Sequence, residues 1–508
     1  MRVTLQVTEG PEAGKTFEFH EADTFLVGRT RKAHLRFDLK ADRLISRTHF
    51  LMDIRPPRCI VMDLHSKNGT YVNDQQVTQA VLKDGDVIRV GKTRILVSIS
   101  GEEGRRLAPV ICAQCGLDVT SEAGNLPPEE LKDKPYKCKK CRGETASRES
   151  LYSTDKGSPA VHRTQVCLNC EADLSSRANR DGMAWALEGS LYLCEKCEDL
   201  LRKSTPSAEG VVDYMLLSEI GRGAMGVVYK AVHKATRRVC AIKMILPDLG
   251  LSEHATKMFE REIEVQSKVV HPNLVRVLDR GRSGANPYFV TEYLAGGDVK
   301  NLVSWVYQGP LEPELACGIT VQILLGLQAL HSHGFIHRDL KPSNFLLDRP
   351  HTDDNFLVKI ADYGLAKSYE NAGNSMFDYT REGIAAGSYI FIPPEQITNY
   401  KFVKPPVDVY AVGVSLYFML TGRFSVDFEG VDGGKRHPLE VILEDPPIPL
   451  LERRPHLSKT LAAVVDKAVV KEVSHRFQSA DEFRSALLEA SAREGWRLPG
   501  AATDQRTE

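Results

Sequence analysis

Short hydrophobic runs separated by turn-forming residues fill the first hundred positions of the chain. They include Val3 to Val7, Phe25 to Val27, Cys59 to Met62 and Ile95 to Ile99, with Gly, Pro, Asn and Asp between them. Runs of this length, rich in β-branched and aromatic residues and bounded by turns, are typical of strands in a β-sandwich. The pattern predicts an all-β sandwich over residues 1–100.

Polar segments divide the rest of the chain into further units. Three of them, rich in Gly, Ser, Thr and charged residues, are predicted to be linkers: 101–108, 143–163 and 203–212. The remaining units are residues 108–145, 163–202 and 213–490. Residues 495–508 are polar without periodicity, which predicts a disordered tail.

Composition and charge narrow the function classes. With 508 residues, 42% of them hydrophobic, the chain is long enough for several cores. Its 66 Lys and Arg residues balance 67 Asp and Glu residues, which does not favour a partner made of nucleic acid. We find no secretory signal and no run that predicts a membrane span, so we expect a cytoplasmic protein without a membrane partner.

Two short motifs carry the clearest candidate chemistry. They are His337-Arg338-Asp339-Leu340-Lys341-Pro342-Ser343-Asn344 and Asp362-Tyr363-Gly364. Together they resemble the catalytic and metal-binding loops of protein kinases. The resemblance implies that Asp339 orients a substrate hydroxyl and accepts its proton, while Asn344 and Asp362 hold Mg²⁺, or Mn²⁺ in its place. Lys341 indicates serine and threonine substrates, since in that family a Lys here contacts the transferred phosphate.

A glycine-rich segment stands upstream of these loops, in the order that the resemblance requires. Gly221, Gly223 and Gly226, followed by Val228, fit the pattern G-x-G-x-x-G-x-V. Residues without bulk let backbone N–H groups approach the phosphates of ATP. The segment is therefore a candidate ATP-binding loop.

A lysine in a strand-like run completes the phosphate site. Lys243, in Ala241-Ile242-Lys243, is expected to contact the α- and β-phosphates and to pair with a carboxylate from the next helix. Glu262 is the favoured carboxylate because of its distance from Pro272, and Glu260 and Glu264 stay open as alternatives.

The resemblance also implies an adenine site. Thr291-Glu292-Tyr293-Leu294 resembles the kinase hinge, where the backbones of Glu292 and Leu294 face the adenine edge. The side chains expected to enclose the ring are Ile220, Val228, Ala241 and Leu346.

Two further features belong to the segment that controls activity in that family. Arg338 is expected to pair with a phosphate on the activation segment. Family spacing places the phosphosite at Ile384, which cannot be phosphorylated, so Thr380 is the first candidate and Tyr379 and Ser375 are alternatives.

Downstream residues are expected to be structural. Glu395, in Pro393-Pro394-Glu395, is expected to form a buried ion pair with Arg476, and Asp408 to open a buried central helix.

Three loops of the predicted sandwich carry a second motif set. They contain Gly28-Arg29, Ser46-Arg47-Thr48-His49 and Lys67-Asn68-Gly69-Thr70. This arrangement resembles the forkhead-associated (FHA) domain, which binds phosphothreonine peptides at one end of a β-sandwich.

The FHA resemblance implies a role for each of these residues. Phosphate contacts are expected from Arg29, Ser46, Arg47 and Lys67, and Asn68 is expected to hold the peptide backbone. His49 is expected to brace the loop, and Gly28 to permit its turn.

Four Cys-x-x-Cys pairs lie between the two domains. They are Cys112/Cys115, Cys138/Cys141, Cys167/Cys170 and Cys194/Cys197. Similar residues surround the first and third pairs, and an aromatic residue precedes the second and the fourth, so the unit is duplicated. Units of about thirty residues rarely fold without a metal or a disulfide.

Zinc explains these pairs best. We expect four thiolates around one structural Zn²⁺ in each unit, two zinc ions in all. A reducing compartment disfavours disulfides, the setting of a redox pair is missing, and iron–sulfur ligation stays an alternative. The remaining cysteines, Cys59, Cys240 and Cys317, are expected to be buried and unreactive.

The sequence thus predicts a multidomain protein with an FHA-like all-β sandwich, two small zinc-ribbon-like units of four cysteines each, and an α+β bilobal kinase fold. The resemblance implies a bacterial, eukaryotic-like serine/threonine kinase that phosphorylates proteins with ATP and docks phosphothreonine-containing partners. Autophosphorylated segments of its own are further candidate ligands, which allows self-association. The alternative is a phosphopeptide-dependent scaffold whose kinase-like domain is catalytically silent.

Overall fold

The computed structural model describes the chain in separate stretches. They are residues 2–40, 42–100, 213–223, 226–244, 268–283, 286–353, 355–362, 367–368, 390–399, 403–428 and 436–499, with 167, 184–187, 191–194, 196–197, 199 and 211. The described residues fall into two compact units. One combines Met1–Leu107, Val269–Leu274 and Leu294–Glu508, and the other combines Ala108–Lys268 and Val275–Tyr293.

Eleven strands form the N-terminal domain. They are β1 (Arg2–Glu9), β2 (Thr16–Phe19), β3 (Asp23–Gly28), β4 (Leu35–Arg36), β5 (Thr48–Arg55), β6 (Arg58–Asp63), β7 (Thr70–Val72), β8 (Gln75–Val77), β9 (Gln79–Leu82), β10 (Val87–Val90) and β11 (Thr93–Ser100). They make one sheet in the order β2-β1-β11-β10-β7-β8 and another in the order β4-β3-β5-β6-β9. The four hydrophobic runs noted in the sequence lie inside β1, β3, β6 and β11, so the predicted sandwich is confirmed.

Alternation explains how these strands bury one face. In β1 the side chains of Val3, Leu5 and Val7 are buried, and the residues between them are not. A period of two places alternate side chains on opposite faces of a strand. The buried ones join a core with residues of both sheets, including Phe50 and Ile95.

The second compact unit contains a hairpin and a five-stranded antiparallel sheet. The hairpin pairs β12 (Ala184–Leu187) with β13 (Leu191–Cys194). The sheet strands are β14 (Tyr214–Gly223), β15 (Gly226–His233), β16 (Val239–Met244), β17 (Val277–Ser283) and β18 (Asn286–Glu292). Their order is β14-β15-β16-β18-β17. The strand expected around Lys243 is β16, so that expectation is confirmed.

Helices dominate the C-terminal lobe. They are α1 (Val299–Asn301), α2 (Pro313–Ser332), α3 (Pro394–Thr398), α4 (Pro406–Thr421), α5 (Pro438–Glu444), α6 (Leu450–Arg453), α7 (Lys459–Ala468) and α8 (Ala480–Arg493). Short strand pairs accompany them: β19 (Phe335–Ile336) with β22 (Lys367–Ser368), and β20 (Phe345–Leu347) with β21 (Val358–Ile360).

The two most apolar helices are interior elements. α4 is buried along nearly its whole length, which confirms the expected central helix, and it ends where Gly422 adopts a left-handed conformation (φ 65°). α2 is long and apolar enough to span a membrane, so the expectation that no run has this property was wrong. Because 72% of its apolar window is buried inside the lobe, packing accounts for its composition.

Candidate functional site

The loop between β19 and β20 places the catalytic candidates against one another. The Lys341 Nζ donates to both carboxylate oxygens of Asp339, at 3.1 and 2.9 Å. The Asn344 amide nitrogen donates to the Asp339 carbonyl at 2.8 Å and to its Oδ2 at 3.2 Å. Asp339 and Lys341 are partly exposed, whereas Asn344 is buried. The loop therefore presents an oriented carboxylate beside a positive charge.

A buried carboxylate from α4 holds this loop in shape. Asp408 is completely buried and accepts hydrogen bonds from the backbone N–H groups of His337 and Arg338 and from His331 Nε2, each at 2.8 Å. Burial alone would raise the pKa of Asp408, but its hydrogen bonds to His331 and to the Arg338 N–H hold that pKa below its usual range. The sequence indicated that Asp408 lies at a helix start, but not that its carboxylate accepts hydrogen bonds from the catalytic loop.

The catalytic and metal-binding loops are tied through His337. Its Nδ1 accepts from the Asp339 N–H at 3.3 Å, so its Nε2 is the atom that donates to the Ala361 carbonyl at 3.0 Å. The Ala361 N–H in turn donates to the Asn344 carbonyl at 2.8 Å. These bonds fix the backbone immediately before Asp362 relative to Asn344.

Two residues of these loops have backbone conformations that side chains disfavour. Arg338 has φ 71° and Asp362 has φ 60°, both in the left-handed region. Such conformations cost about 1 kcal/mol or more and persist where surrounding contacts hold them. For Arg338 those contacts are the bond from its N–H to Asp408 and the bond from Gln396 Nε2 to its carbonyl, at 2.8 Å each.

The expected ion pair downstream is confirmed. Arg476 Nη1 lies 2.7 Å from Glu395 Oε1, and Nη2 lies 3.3 Å from Oε2. The Arg476 side chain is fully buried and also donates to the carbonyl of Pro406 at 2.7 Å. The pair therefore links α3 to the start of α4.

The ATP candidates of the second unit lie on adjacent strands. Lys243 on β16 stands directly opposite Val228 on β15, and Gly221 on β14 pairs with Val228 from the other side. The hairpin end places Gly223 opposite Gly226. The glycine-rich turn and Lys243 thus occupy neighbouring positions of one sheet.

The side chains expected to enclose adenine differ in their exposure. Val228, Ala241, Leu294 and Leu346 are half-buried, while Ile220 is 45% exposed. The Glu292 N–H donates to the Arg276 carbonyl at 3.1 Å. This N–H is used within the second unit, and the contacts of the Glu292 and Leu294 backbones with adenine stay predictions.

The FHA candidates converge on three loops at one end of the sandwich. Arg29 donates through its N–H to the carbonyls of Ser46 and Arg47, and through Nε to Ile45 O at 2.6 Å. The Ser46 hydroxyl accepts from the Lys67 N–H at 3.0 Å. The structure thus brings Arg29, Ser46, Arg47 and Lys67 together.

Asn68 and its neighbours stabilise the same loops from within. The Asn68 amide nitrogen donates to Leu44 O at 2.7 Å, so this group is used inside the domain. His49 is completely buried; its Nδ1 accepts from the Ser46 N–H at 3.0 Å and its Nε2 lies 3.2 Å from Gly69 O. Burial lowers the His49 pKa, which favours the neutral ring these bonds require. His49 braces the loop, as expected.

Glycine is required at position 28 for a different reason from the one expected. Its φ is not in the left-handed region, so no turn demands glycine there. A Cβ atom at this position would lie 2.2 Å from the carbonyl oxygen of Arg47. Close approach of the β3 and β5 backbones therefore requires glycine.

Three of the predicted zinc ligands form a cluster. The Sγ atoms of Cys167, Cys194 and Cys197 all lie within 4.8 Å of one another, and all three residues are buried. The Cys194 N–H donates to Cys167 Sγ at 3.3 Å. Hydrophobic contacts pack the cluster against the kinase sheet, including Val232 and Val239.

The other cysteines of the described stretches behave as expected. Cys59, Cys240 and Cys317 are buried and are not in disulfides. Burial raises the pKa of all three thiols, to about 12 for Cys240 and Cys317, which suppresses the reactive thiolate.

Several predicted residues lie outside the described stretches. They are Glu262 with its alternatives Glu260 and Glu264, Thr380 with its alternatives, Tyr363, Cys170, and the first cysteine unit Cys112, Cys115, Cys138 and Cys141.

Comparisons with known proteins identify two domains in the chain. The protein kinase domain model matches residues 214–487, more than half of the chain, and the FHA domain model matches residues 25–91. The chain belongs to the protein kinase domain family, and it also contains an FHA domain.

The relatives are bacterial serine/threonine kinases. The chain is 32% identical over 292 residues to serine/threonine-protein kinase pkn3 of Myxococcus xanthus, covering 57% of this chain and 51% of that protein. It is 32% identical over 295 residues to PknB of Mycolicibacterium smegmatis, covering 57% and 45%. The chain thus spans about half the length of these curated relatives.

Among solved structures, the Mycobacterium tuberculosis PknI kinase domain covers 56% of this chain and 99% of its own, with 23% identity and a TM-score of 0.42.

Proposed function

We propose that this protein is a serine/threonine kinase that transfers the γ-phosphoryl group of ATP to protein hydroxyls and carries an FHA module that reads phosphothreonine. The observation that carries the kinase proposal is the Asp339 carboxylate, held by Lys341 and Asn344 in a loop that Asp408 braces. The matched ranges lie inside the domains that we propose, 1–100 for the reader and 213–490 for the kinase.

The proposed chemistry at Asp339 follows from its contacts. A substrate hydroxyl that hydrogen-bonds to this carboxylate is oriented towards the transferred phosphoryl group. During the transfer the hydroxyl gives its proton to the Asp339 carboxylate. Lys341, already 2.9 Å from Asp339 Oδ2, supplies positive charge next to the reacting oxygen. Its place in the loop supports serine and threonine as substrates.

The residues present fit magnesium. The Asn344 amide nitrogen is committed to Asp339, which leaves its carbonyl oxygen as the ligand atom, and Asp362 contributes a carboxylate. Oxygen donors of this kind suit Mg²⁺ and Mn²⁺. With Mg²⁺ held by Asn344 and Asp362, negative charge on the phosphoryl oxygens would be neutralised. Lys243 and the glycine-rich turn are the proposed phosphate contacts, with Glu262 as the partner of Lys243.

The kinase proposal has a direct test. Purified protein incubated with Mg²⁺ and labelled ATP is expected to place label on serine or threonine, of itself or of an added protein substrate. Phosphoamino-acid analysis would identify the acceptor, and site mapping would show whether Thr380 is one of the autophosphorylated residues. Absence of label under every condition tried would favour a silent scaffold.

The reader proposal predicts a large effect at one arginine. Arg47→Ala is expected to weaken binding of a phosphothreonine peptide about tenfold or more, because hydrogen bonds to a charged partner contribute about 1.5–3 kcal/mol. Fluorescence polarisation with a phosphothreonine peptide pool would measure it. Arg2→Ala removes an exposed arginine at the far end of the same domain and is expected to have little effect. Equal affinity of Arg47→Ala and the unmodified protein would refute the assignment.

We also propose that the cysteine units bind structural zinc. Three buried thiols whose Sγ atoms lie within 4.8 Å of one another suit a soft metal ion, and Cys170 is the proposed fourth ligand. Since the cluster packs on β15 and β16, metal binding would also stabilise the kinase sheet. A reducing cytoplasm, the proposed location, keeps such thiols available.

Metal analysis checks this proposal. Protein purified without chelator is expected to contain about two zinc ions per chain. Cys197→Ala is expected to remove about one of them and to lower the unfolding midpoint, whereas Cys240→Ala, at a buried cysteine outside the cluster, is expected to keep both. Full zinc content in Cys197→Ala would contradict the assignment.

A further inference from the structure

The FHA domain and the C-terminal lobe of the kinase form direct contacts within one compact unit. The Thr24 hydroxyl on β3 donates to the carbonyl of Ile397 on α3 at 3.0 Å, and this bond is buried. Lys32 Nζ donates to the carbonyl of Leu443 on α5 at 2.6 Å. A buried hydroxyl and a partly buried lysine are both satisfied by the kinase lobe, as expected of a specific interface.

The second part of this interface involves the proposed phosphate site. Arg47 Nη2 lies 3.4 Å from Glu440 Oε1 on α5. Beside it, the rings of His65 and His437 are in edge-to-face contact, with centroids 5.2 Å apart. Arg47 thus faces a carboxylate of its own chain, and a carboxylate is the closest side-chain counterpart of a phosphate.

The contacts at α5 have a clear physical basis. The last carbonyls of a helix lack partners within it and carry partial negative charge. Lys32 from the FHA domain donates to one of them, Leu443 O, and Lys471 adds a second hydrogen bond, of 3.1 Å, to Val441 O, which also accepts from the Asp445 N–H. Burial lowers the pKa of Lys32, and the nearby Glu444 partly offsets this effect. The ammonium group of Lys32 is therefore partly desolvated at the helix end.

The same interface touches the element that supports the catalytic loop. α3 offers Ile397 O to Thr24, and it also carries Glu395, paired with Arg476, and Gln396, which donates to the Arg338 carbonyl. Any ligand that changes how the FHA domain contacts α3 therefore acts on a neighbour of the catalytic loop.

We propose that the C-terminal lobe of this chain competes for its own phosphothreonine site, with Glu440 as an internal partner of the half-exposed Arg47, and that a phosphothreonine segment releases the FHA domain from α3 and α5. This inference rests on the proposed reader function. A phosphate brings more charge and three acceptor oxygens, whereas Glu440 offers one oxygen at 3.4 Å. In the intact chain the dissociation constant for a phosphopeptide is then the intrinsic dissociation constant divided by the fraction of molecules in which Arg47 has left Glu440.

Two substitutions outside the phosphate site test the competition in the full-length protein. Thr24→Val and Lys32→Met each remove one contact to the kinase lobe and are expected to tighten binding of a phosphothreonine peptide pool about three- to tenfold. If only the charge near the site mattered, Lys32→Met would weaken peptide binding, because the substitution removes a positive charge. Thr320→Val is the matched control, because it removes a buried hydroxyl-to-carbonyl bond of 2.8 Å inside α2, away from the interface.

The outcomes separate this inference from the reader proposal. If the unmodified protein binds the pool and both variants bind it with the same affinity, the proposed competition between the C-terminal lobe and phosphopeptide is wrong. The proposed binding of phosphothreonine by the FHA domain is then still supported. If none of the proteins binds phosphorylated better than unphosphorylated peptides, the reader proposal fails, and the inference with it.

Hydrogen exchange gives an independent measurement on the unmodified protein. Saturating phosphothreonine peptide is expected to increase amide exchange in α3 and α5, and the unphosphorylated pool is expected to leave it unchanged. Unchanged protection of both helices with the peptide bound would overturn the inference.

Discussion

Asp339→Asn is expected to lower the rate of phosphoryl transfer about 10²–10⁴-fold. The substitution keeps the size of the side chain but removes the group that accepts the proton, and it leaves Lys341 Nζ without the carboxylate it now contacts at 2.9 and 3.1 Å. Because the two side chains are partly exposed, the free energy of unfolding is expected to change by about 1 kcal/mol or less.

Initial rates of label transfer from ATP, with thermal or denaturant unfolding measured in parallel, would check this prediction. Asp353→Asn is the control, since it makes the same chemical change at an exposed carboxylate of the same lobe. A well-folded Asp339→Asn protein that transfers phosphate at the normal rate would exclude Asp339 as the base.

Asp408→Ala is expected to destabilise the protein by about 3–5 kcal/mol. It leaves three buried donors, the backbone N–H groups of His337 and Arg338 and the ring of His331, without their acceptor. Since those N–H groups shape the catalytic loop, phosphoryl transfer is expected to fall as well. Asp427→Ala, at a half-exposed position of the same lobe, is expected to cost about 0.5 kcal/mol or less.

The pH dependence of stability provides a second readout for Asp408. Its pKa is lower in the folded protein than in the unfolded chain, so the unfolded chain binds the proton more readily. The stabilisation from this group is present above about pH 4, the unfolded pKa, and is lost as the pH falls through the lower folded value. Asp408→Ala is expected to lose this part of the acid dependence. An unchanged profile would contradict the argument.

Local sequence was sufficient for the catalytic loop and for the strands of the sandwich. Asp339, Lys341 and Asn344 lie within six positions, so their mutual contacts depend on one short loop. The apolar alternation of β1 likewise depends only on neighbouring residues. Such features are visible without knowing what packs against them.

Contacts between distant segments were not visible in the residue pattern itself, and the Glu395–Arg476 pair, 81 positions apart, was expected only from the kinase resemblance. Asp408 accepts hydrogen bonds from the N–H groups of Arg338 and His337, which lie 70 and 71 positions before it in the chain. Its sequence context indicated only a helix start. Glycine at position 28 is expected from the sequence to permit a turn, although the cause is the carbonyl of Arg47, the residue just before the neighbouring strand β5. The apolar composition of α2 could not distinguish a buried helix from a membrane span, because both remove the same side chains from water.

The sequence by itself determined the chemistry of this protein: a kinase catalytic loop, an FHA loop set and paired cysteines, each defined by residue types at short spacing. Only the tertiary structure decided what those groups face. Glu440 meets Arg47 across 393 positions, and Thr24 meets Ile397 across 373. Short-range spacing follows from the local backbone, whereas partners this far apart are set by which surfaces pack together.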